Sequence, residues 1–313
     1  LQLSTKKSMF GLNLFIAGIE KCGTTSLADW FVTNGLAKYH MQGIKEPYSY
    51  AFGDTPTSNS LMPRGVLLDA SVGYAFNPHA IARMPQHNTK VVLCFRNHLD
   101  RGFSAYNFYK TIAKRDETSV ALLQTIPELL DLLGDDIHAE SLFEVTFQIM
   151  KRYFPTKSEK VIRNYFEEQA DNICRQSFLE RAHYEVGFFL RRRSFPFFSI
   201  LGSGFFTHPL KNLLARYQAT DLHLLTLDQL GTESARTEFI KDLLGPRAHG
   251  ATLPPLPNLN ATAGQAKPDF HTSEWDFLRA YFRSDLIDFR ATANDAGVSM
   301  KYVHQARLNQ YLM

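Results

Sequence analysis

Short apolar runs recur along the chain and predict buried β-strands. The clearest runs begin at Leu14 and Val91, and a third spans residues 221–227. Uninterrupted runs rich in Val, Ile and Leu are typical of parallel strands that are covered on both faces. Stretches with helical spacing follow the first two runs. We therefore predict an α/β fold with a central parallel β-sheet flanked by helices, in a single domain over residues 1–313 with its core at about 12–290.

Helix-like spacing extends over residues 111–180, where Leu, Phe, Glu, Gln and Lys are frequent and only Pro127 and Pro155 interrupt the pattern. This stretch is longer than a simple connection between a strand and a helix requires. We predict a helical insertion there. Segments above the carboxyl ends of the strands are where α/β enzymes build substrate specificity.

The first apolar run ends in a turn that suits an anion. Gly18 and Gly23 have the spacing of a Walker A loop, but Thr24 occupies the position of that loop's lysine. Lys21 lies two residues before the second glycine instead. Backbone N–H groups at a helix start, together with the helix dipole, favour a bound anion. We predict that residues 21–26 bind a phosphate group shorter than a triphosphate, with no Mg²⁺ partner nearby.

The second apolar run leads into a second candidate anion site. Arg96 follows the run directly, and Ser104 lies eight residues later in a segment with helical spacing. An arginine fork and a serine hydroxyl together suit a phosphate, and each hydrogen bond to a charged group contributes about 1.5–3 kcal/mol. The alternative for Arg96 is a surface ion pair with Asp100.

These two segments resemble the donor site of sulfotransferases that use PAPS (3′-phosphoadenosine 5′-phosphosulfate). Lys-Cys-Gly-Thr-Thr-Ser-Leu at residues 21–27 looks like their 5′-phosphosulfate loop, and Arg96 with Ser104 is similar to their 3′-phosphate site. The resemblance implies a P-loop-like sulfotransferase fold, PAPS as co-substrate, PAP as product and no metal requirement. In such relatives a loop before the last helix covers the nucleotide. The implied donor contacts are Lys21, Cys22, Gly23, Thr24, Thr25, Ser26, Arg96, Ser104, Thr262, Gly264 and Lys267.

Three further segments resemble carbohydrate sulfotransferases of the heparan type. Residues 44–52, with Lys-Glu-Pro-Tyr, are similar to a Lys-Glu-x-x-Phe-Phe stretch, and residues 68–74 are similar to a Glu-x-Ser-Pro-x-Tyr segment. Residues 267–282 look like the closing Lys-Pro and Leu-x-x-Tyr-Phe pattern. Two residues depart from the second pattern: Val72 replaces the usual proline, and Ala70 stands where several glycan enzymes carry a lysine. If that lysine helps catalysis or acceptor binding in the relatives, its role is either missing here or supplied by another residue.

The resemblance also implies catalytic residues. Transfer of a sulfuryl group needs a base for the acceptor proton, worth about 10²–10⁴-fold, and stabilisation of the leaving phosphate oxygen. In the heparan-type relatives the glutamate of the Lys-Glu segment is the base, and the matching residue is Glu46. His40 is a rival base, because cytosolic small-molecule sulfotransferases use histidine. Lys21 and the N–H groups of its loop would stabilise the developing charge.

We predict a sulfotransferase that acts on a hydroxyl or amine of a carbohydrate or glycosylated metabolite. The 13 tyrosines and 25 phenylalanines equally suit a pocket for a lipid, polyketide or phenol. A nucleotide-dependent kinase is a second alternative, but it requires Mg²⁺ and a lysine after Gly23. A third is a PAP-binding module without catalytic activity. The sulfated position and the oligomeric state stay open.

The net charge and the cysteine content limit which binding partners and which cellular location we predict. Lys and Arg number 34 against 31 Asp and Glu, and a net charge of only +3 excludes a nucleic-acid binder that relies on bulk charge. The three cysteines show neither metal-ligand spacing nor a disulfide framework. No apolar run reaches the ~20 residues of a membrane helix. We predict a cytoplasmic, bacterial protein; because the chain begins with Leu1, a trimmed start and a Golgi-lumen location stay open.

Overall fold

The computed structural model describes residues 11–41, 43–53, 65–124, 141–248, 253–257 and 266–312. The chain divides into two compact units whose segments alternate along the sequence. Unit 1 comprises Leu1–Phe95, Pro209–Asn260 and Ala291–His304, and unit 2 comprises Arg96–His208, Ala261–Arg290 and Gln305–Met313.

Unit 1 contains a five-stranded sheet in which every neighbouring pair is parallel. Its strands are β1 (Leu12–Gly18), β2 (Lys38–Tyr39), β3 (Val66–Asp69), β4 (Thr89–Phe95) and β5 (Leu222–Thr226), in the order β2-β3-β1-β4-β5. β1 and β4 are almost fully buried, as their uninterrupted apolar sequences require. The predicted α/β fold with a central parallel sheet is confirmed.

Helices precede and follow these strands. Those that start in unit 1 are α1 (Thr24–Thr33), α2 (Ser49–Phe52), α3 (Pro78–Arg83) and α10 (Glu233–Leu244). Single turns of 3₁₀ helix occupy Tyr74–Phe76, Ala219–Asp221, Leu227–Leu230 and Gly245–Arg247. The helices α1 and α10 bury one apolar face each, on the pattern expected for helices that cover a sheet.

The regular secondary structure in the described part of unit 2 consists of helices. Its helices are α4 (His98–Lys114), α5 (Glu117–Gln124), α6 (Leu142–Arg152), α7 (Glu159–Arg175), α8 (Phe178–Arg192) and α12 (Gln305–Asn309), with 3₁₀ turns at Gly202–Gly204 and Ser273–Trp275. Two further helices, α9 (Thr207–Leu214) and α11 (Asp276–Asp295), contribute residues to both units. The predicted helical segment 111–180 contains α5, α6 and α7 and parts of α4 and α8 among its described residues. None of the described helices is long and apolar enough to cross a membrane.

Candidate active site

The predicted anion loop lies between β1 and α1, as the sequence indicated. Gly23 is the N-cap of α1 and has a φ of 86°, so this helix begins without a capping side chain. The first helical bond runs from the Leu27 N–H to the Gly23 carbonyl, at 3.1 Å. The N–H groups of Thr24, Thr25 and Ser26 precede that bond and form the positive end of the helix dipole. An anion at this helix start would meet backbone donors.

Gly23 is required by its conformation and by its neighbour. A φ of 86° is unfavourable for residues with a side chain, and a Cβ at this position would lie 2.1 Å from Leu227 Cδ1. Leu227 directly follows β5, which is an edge strand of the sheet. The Leu227 side chain therefore limits the space that residue 23 can occupy. This contact is one that sequence reasoning missed, because 204 positions separate the two residues.

The remaining loop residues differ in what they can offer an anion. Lys21 is half-buried with a φ of 63°, and Cys22 is buried. The Cys22 N–H already donates to the Ile19 carbonyl at 3.2 Å. Because the Cys22 N–H is already bonded, Lys21 and the start of α1 are the stronger candidates in this loop for contacts to the sulfate donor.

Glu46 has two side-chain partners. Lys45 Nζ contacts Oε1, and the Tyr48 hydroxyl donates to Oε2 at 2.7 Å. The side chains of Lys45 and Glu46 are 13% and 22% exposed, so this ion pair is largely covered. Both carboxylate oxygens are thus held, and a carboxylate keeps further lone pairs for an acceptor proton.

Lys45 also lies beside the position where the heparan-type relatives carry a lysine. Its carbonyl accepts a hydrogen bond from the Ala70 N–H at 3.0 Å. The ammonium group of Lys45 contacts Glu46, so a lysine reaches this carboxylate from residues 44–52 rather than from position 70.

A buried hydrogen-bond network begins where β3 ends. Asp69 is 1% exposed and accepts from the Ser71 N–H at 3.0 Å, the Ser71 hydroxyl at 2.6 Å and the Tyr74 hydroxyl at 3.0 Å. Burial raises the pKa of Asp69 to about 6, against the lowering effect of these donors, and the nearby charge of Glu46 adds a smaller increase. The resemblance covered these residues but assigned no role to Asp69, Ser71 or Tyr74.

His40, the rival base, is the residue after β2. Its N–H donates to the Leu68 carbonyl at 2.8 Å, and its ring stacks on Tyr50 with 6.4 Å between the ring centroids. Burial lowers the pKa of His40, so its imidazole is neutral at neutral pH, as a base must be. Tyr50 lies four residues after Glu46 in the same segment. The ring of His40 therefore contacts the segment that carries Glu46.

The second candidate anion site is in unit 2. Arg96 is exposed and makes no hydrogen bond or ion pair with the residues that the structure describes, whereas Ser104 is 8% exposed on α4. The side chain of Asn97 caps α4 by accepting from the N–H groups of Leu99 and Asp100. Because this helix start is already capped, an anion here would rely on side chains rather than on backbone groups.

Asp100 pairs with Lys267, and the alternative pair between Arg96 and Asp100 is absent from the described residues. Lys267 Nζ lies 2.5 Å from Asp100 Oδ1 and also contacts the Tyr311 hydroxyl. The Lys267 side chain remains 43% exposed. A donor contact by Lys267 would therefore compete with an existing ion pair. The other two candidates in this loop, Thr262 and Gly264, lie outside the described residues.

His98, the first residue of α4, is fully buried between the rings of Phe206 and Phe282, at centroid distances of 3.9 and 4.6 Å. Its Nε2 lies 3.3 Å from Asp285 Oδ2, and its Nδ1 has no partner among the described residues. Asp285 also accepts from the N–H groups of Phe206, at 2.7 Å, and Thr207, at 3.2 Å. This network ties the start of α4 to α11.

In the described parts of the chain, no cluster of three or more His, Cys, Asp or Glu side chains has an arrangement that could hold a metal ion.

Comparison with known proteins bears on the fold. Among solved structures, the chain is similar to a sulfotransferase from Alicyclobacillus acidocaldarius, with a TM-score of 0.52 over 90% of this chain and 96% of that one. The chain has a sulfotransferase fold. The sequences are 18% identical, so this likeness concerns the fold alone. No protein-family model matches the chain, and no curated protein matches it.

Proposed function

We propose that this protein transfers a sulfuryl group from PAPS to an acceptor, and that PAP is the second product. The observation that carries the proposal is the uncapped start of α1 behind Gly23, on a chain with a sulfotransferase fold. A helix start without a capping side chain leaves backbone donors for the phosphosulfate. The lysine of this loop is at position 21, which suits a bridging oxygen rather than the terminal phosphate of ATP.

The donor contacts follow from the two candidate anion sites. Lys21 and the N–H groups of residues 23–26 would bind the 5′-phosphosulfate, and Arg96 with Ser104 would bind the 3′-phosphate. Arg96 is exposed and free of partners among the described residues, so its guanidinium need not leave another ion pair. Because no existing ion pair has to break, the charge-assisted hydrogen bonds from Arg96 to the 3′-phosphate contribute their whole free energy to binding.

The chemical step is an in-line displacement at sulfur. The acceptor oxygen or nitrogen forms the new bond to sulfur, the bond between sulfur and the phosphate oxygen breaks, and that oxygen leaves on PAP. Glu46 would take the acceptor proton. Lys21 and the backbone donors would stabilise the charge on the leaving oxygen. Lys45, next to Ala70, is the candidate for the role of the lysine found in glycan sulfotransferases.

A carbohydrate or glycosylated metabolite is the proposed acceptor, because the partly covered Lys45–Glu46 pair resembles the Lys-Glu segment of heparan-type enzymes. A lipid, polyketide or phenol is the second candidate. We further propose that the protein acts in a bacterial cytoplasm. A screen of hydroxylated sugars against phenols and sterols, with PAP release as the readout, decides between the acceptor classes.

Donor binding is tested first, by calorimetry without Mg²⁺. We expect PAP to bind more tightly than 5′-AMP or ATP. Arg96→Ala should weaken PAP binding by about 10- to 100-fold, the equivalent of one lost charged hydrogen bond. Arg175→Ala is the matched control, because the Arg175 side chain is 77% exposed in the same unit. Binding of ATP that needs Mg²⁺ and ignores Arg96 would contradict the proposal and favour a kinase.

Catalysis is tested with Glu46→Gln. We expect a loss of about 10²–10⁴-fold in turnover with an unchanged PAP affinity, because only the base is removed. His40→Asn, measured beside it, identifies the base: if only this second variant loses turnover, histidine has the role. Tight PAP binding without turnover of any acceptor would indicate a binding module instead.

A further inference from the structure

The segment that contains Glu46 is fastened to the turn after β3 by three hydrogen bonds. The Ala70 N–H donates to the Lys45 carbonyl at 3.0 Å, the Tyr48 N–H donates to Ser71 Oγ at 3.0 Å, and the Tyr50 N–H donates to the Tyr74 hydroxyl at 3.3 Å. The second of these bonds holds Tyr48, the residue whose hydroxyl contacts Glu46.

Tyr48 has an unusual backbone conformation. Its φ of 52° places it in the left-handed region, which is unfavourable for a residue with a bulky side chain. Such a conformation persists only where the surroundings hold it. The Tyr48 N–H is bonded to Ser71 Oγ, and its ring packs edge-on against Tyr74 with 6.2 Å between the centroids.

Ser71 is oriented by Asp69. The Ser71 hydroxyl donates its only proton to Asp69 Oδ1 at 2.6 Å, so the oxygen lone pairs remain to accept from Tyr48. Ser71 is 0% exposed and Asp69 is 1% exposed, so water does not compete for either group. The hydroxyl direction is therefore determined within the protein.

The Tyr48 phenol then fixes Glu46. It donates to Oε2 at 2.7 Å, while Lys45 contacts Oε1. Lys45 is anchored separately, through its own carbonyl, by the Ala70 N–H. Loss of the Ser71 hydroxyl would thus free Glu46 Oε2 from Tyr48, while Lys45 would still hold Oε1.

We propose that Ser71, oriented by Asp69, is a positioning residue for Glu46: it holds Tyr48 in the left-handed conformation from which the phenol orients the carboxylate. The inference rests on the proposed function, in which Glu46 is the base. It adds a specific route, from Asp69 through Ser71 and Tyr48, by which buried groups at the end of β3 and in the turn after it set the geometry of proton transfer.

The rate test uses Ser71→Ala, Tyr48→Phe, the double variant and Ser49→Ala as a control. Ser49 is a buried serine of the same segment whose hydroxyl contacts Met41 Sδ instead. PAP release from PAPS is measured in single turnover with water as acceptor, beside PAP affinity. We expect Ser71→Ala and Tyr48→Phe each to slow release by roughly 10- to 100-fold at unchanged PAP affinity, because a displaced base loses catalytic geometry. Ser49→Ala should not slow it.

The double variant separates positioning from a general loss of packing. If Ser71 acts through the Tyr48 phenol, removing both groups should cost no more than the larger single loss. Losses that multiply in the double variant, or an unchanged rate in Ser71→Ala, would overturn the proposal.

A crystal structure of Ser71→Ala tests the positioning without any activity. We expect Tyr48 to leave the left-handed region and its hydroxyl to separate from Glu46 Oε2. If Tyr48 and Glu46 keep their places in that structure, the proposal is wrong whatever the rates are. A wild-type protein that fails to bind PAP would instead refute the donor assignment, so the two failures are distinguishable.

Discussion

Two buried carboxylates, one in each unit, have pKa values shifted in opposite directions. Asp69 is 1% exposed in unit 1, and burial raises its pKa to about 6. Asp285 is 9% exposed in unit 2, and although burial alone would raise its pKa, its hydrogen-bond donors hold the pKa below the ordinary value. The same chemical group is therefore close to neutralisation in one unit and firmly ionised in the other.

The hydrogen-bond donors contribute to this difference. Two of the three donors of Asp69 are neutral hydroxyls, from Ser71 and Tyr74. Asp285 accepts from the His98 ring and from two backbone N–H groups, those of Phe206 and Thr207. Donors of this second kind stabilise an ionised carboxylate against desolvation. Burial alone therefore does not predict the charge of an acid, because its hydrogen-bond donors and the neighbouring charges also shift its pKa.

The largest expected effect follows from removing the ionised carboxylate. Asp285→Ala leaves three buried donors without an acceptor, so the free energy of unfolding should fall by about 3–5 kcal/mol. Urea titration monitored by circular dichroism measures this loss. Asp288→Ala is the control, because Asp288 is exposed on the same helix. A loss below about 1 kcal/mol would mean that the network does not anchor α4 to α11.

The corresponding change in unit 1 should have the opposite sign. Asp69→Asn keeps an oxygen acceptor for Ser71 but removes a charge whose burial is unfavourable at neutral pH. Because the folded pKa is raised, the stability contribution of Asp69 is complete below about pH 4 and is lost as the pH rises through about 6. At pH 7 the asparagine variant should match or exceed the wild type by up to about 3 kcal/mol.

Urea titrations of both proteins between pH 4 and 7 test this sign. The gain from Asp69→Asn should grow across that interval and level off above about pH 6. For Asp285 the sign is reversed: its pKa is lowered, so its contribution is lost only as the pH falls through that lowered value. A gain that is independent of pH would contradict the raised pKa of Asp69.

The smallest expected effect concerns Tyr74, one of the hydrogen-bond donors to Asp69. Tyr74→Phe removes one of its donors and leaves the Tyr50 N–H without its acceptor, at a cost of about 1–2 kcal/mol. It should also raise the pKa of Asp69 further, and carbonyl NMR of the labelled carboxyl group would detect this as an upward shift of the titration midpoint. An unchanged midpoint would mean that the Tyr74 hydroxyl does not stabilise the charged form.

Sequence patterns determined the elements that depend on local chemistry. Mostly apolar runs predicted β1, β4 and β5, because a strand covered on both faces carries few polar side chains. The glycine at position 23 and the hydroxyl residues after it predicted the start of α1, since few residues adopt a positive φ at a helix start. These features need only a few neighbouring residues, and the turn between β1 and α1 accordingly lies where the sequence predicted it.

The partners of the site residues were decided by tertiary structure alone. Ser71 reaches Tyr48 across 23 positions, and Asp285 reaches His98 across 187. Leu227 limits Gly23 only because β5 lies in the same sheet as β1. Such contacts depend on strand order and register, and a shift of one residue would turn each side chain of a strand to the opposite face. The sequence therefore determined which groups can do chemistry, and the tertiary structure determined which of them hold one another in place.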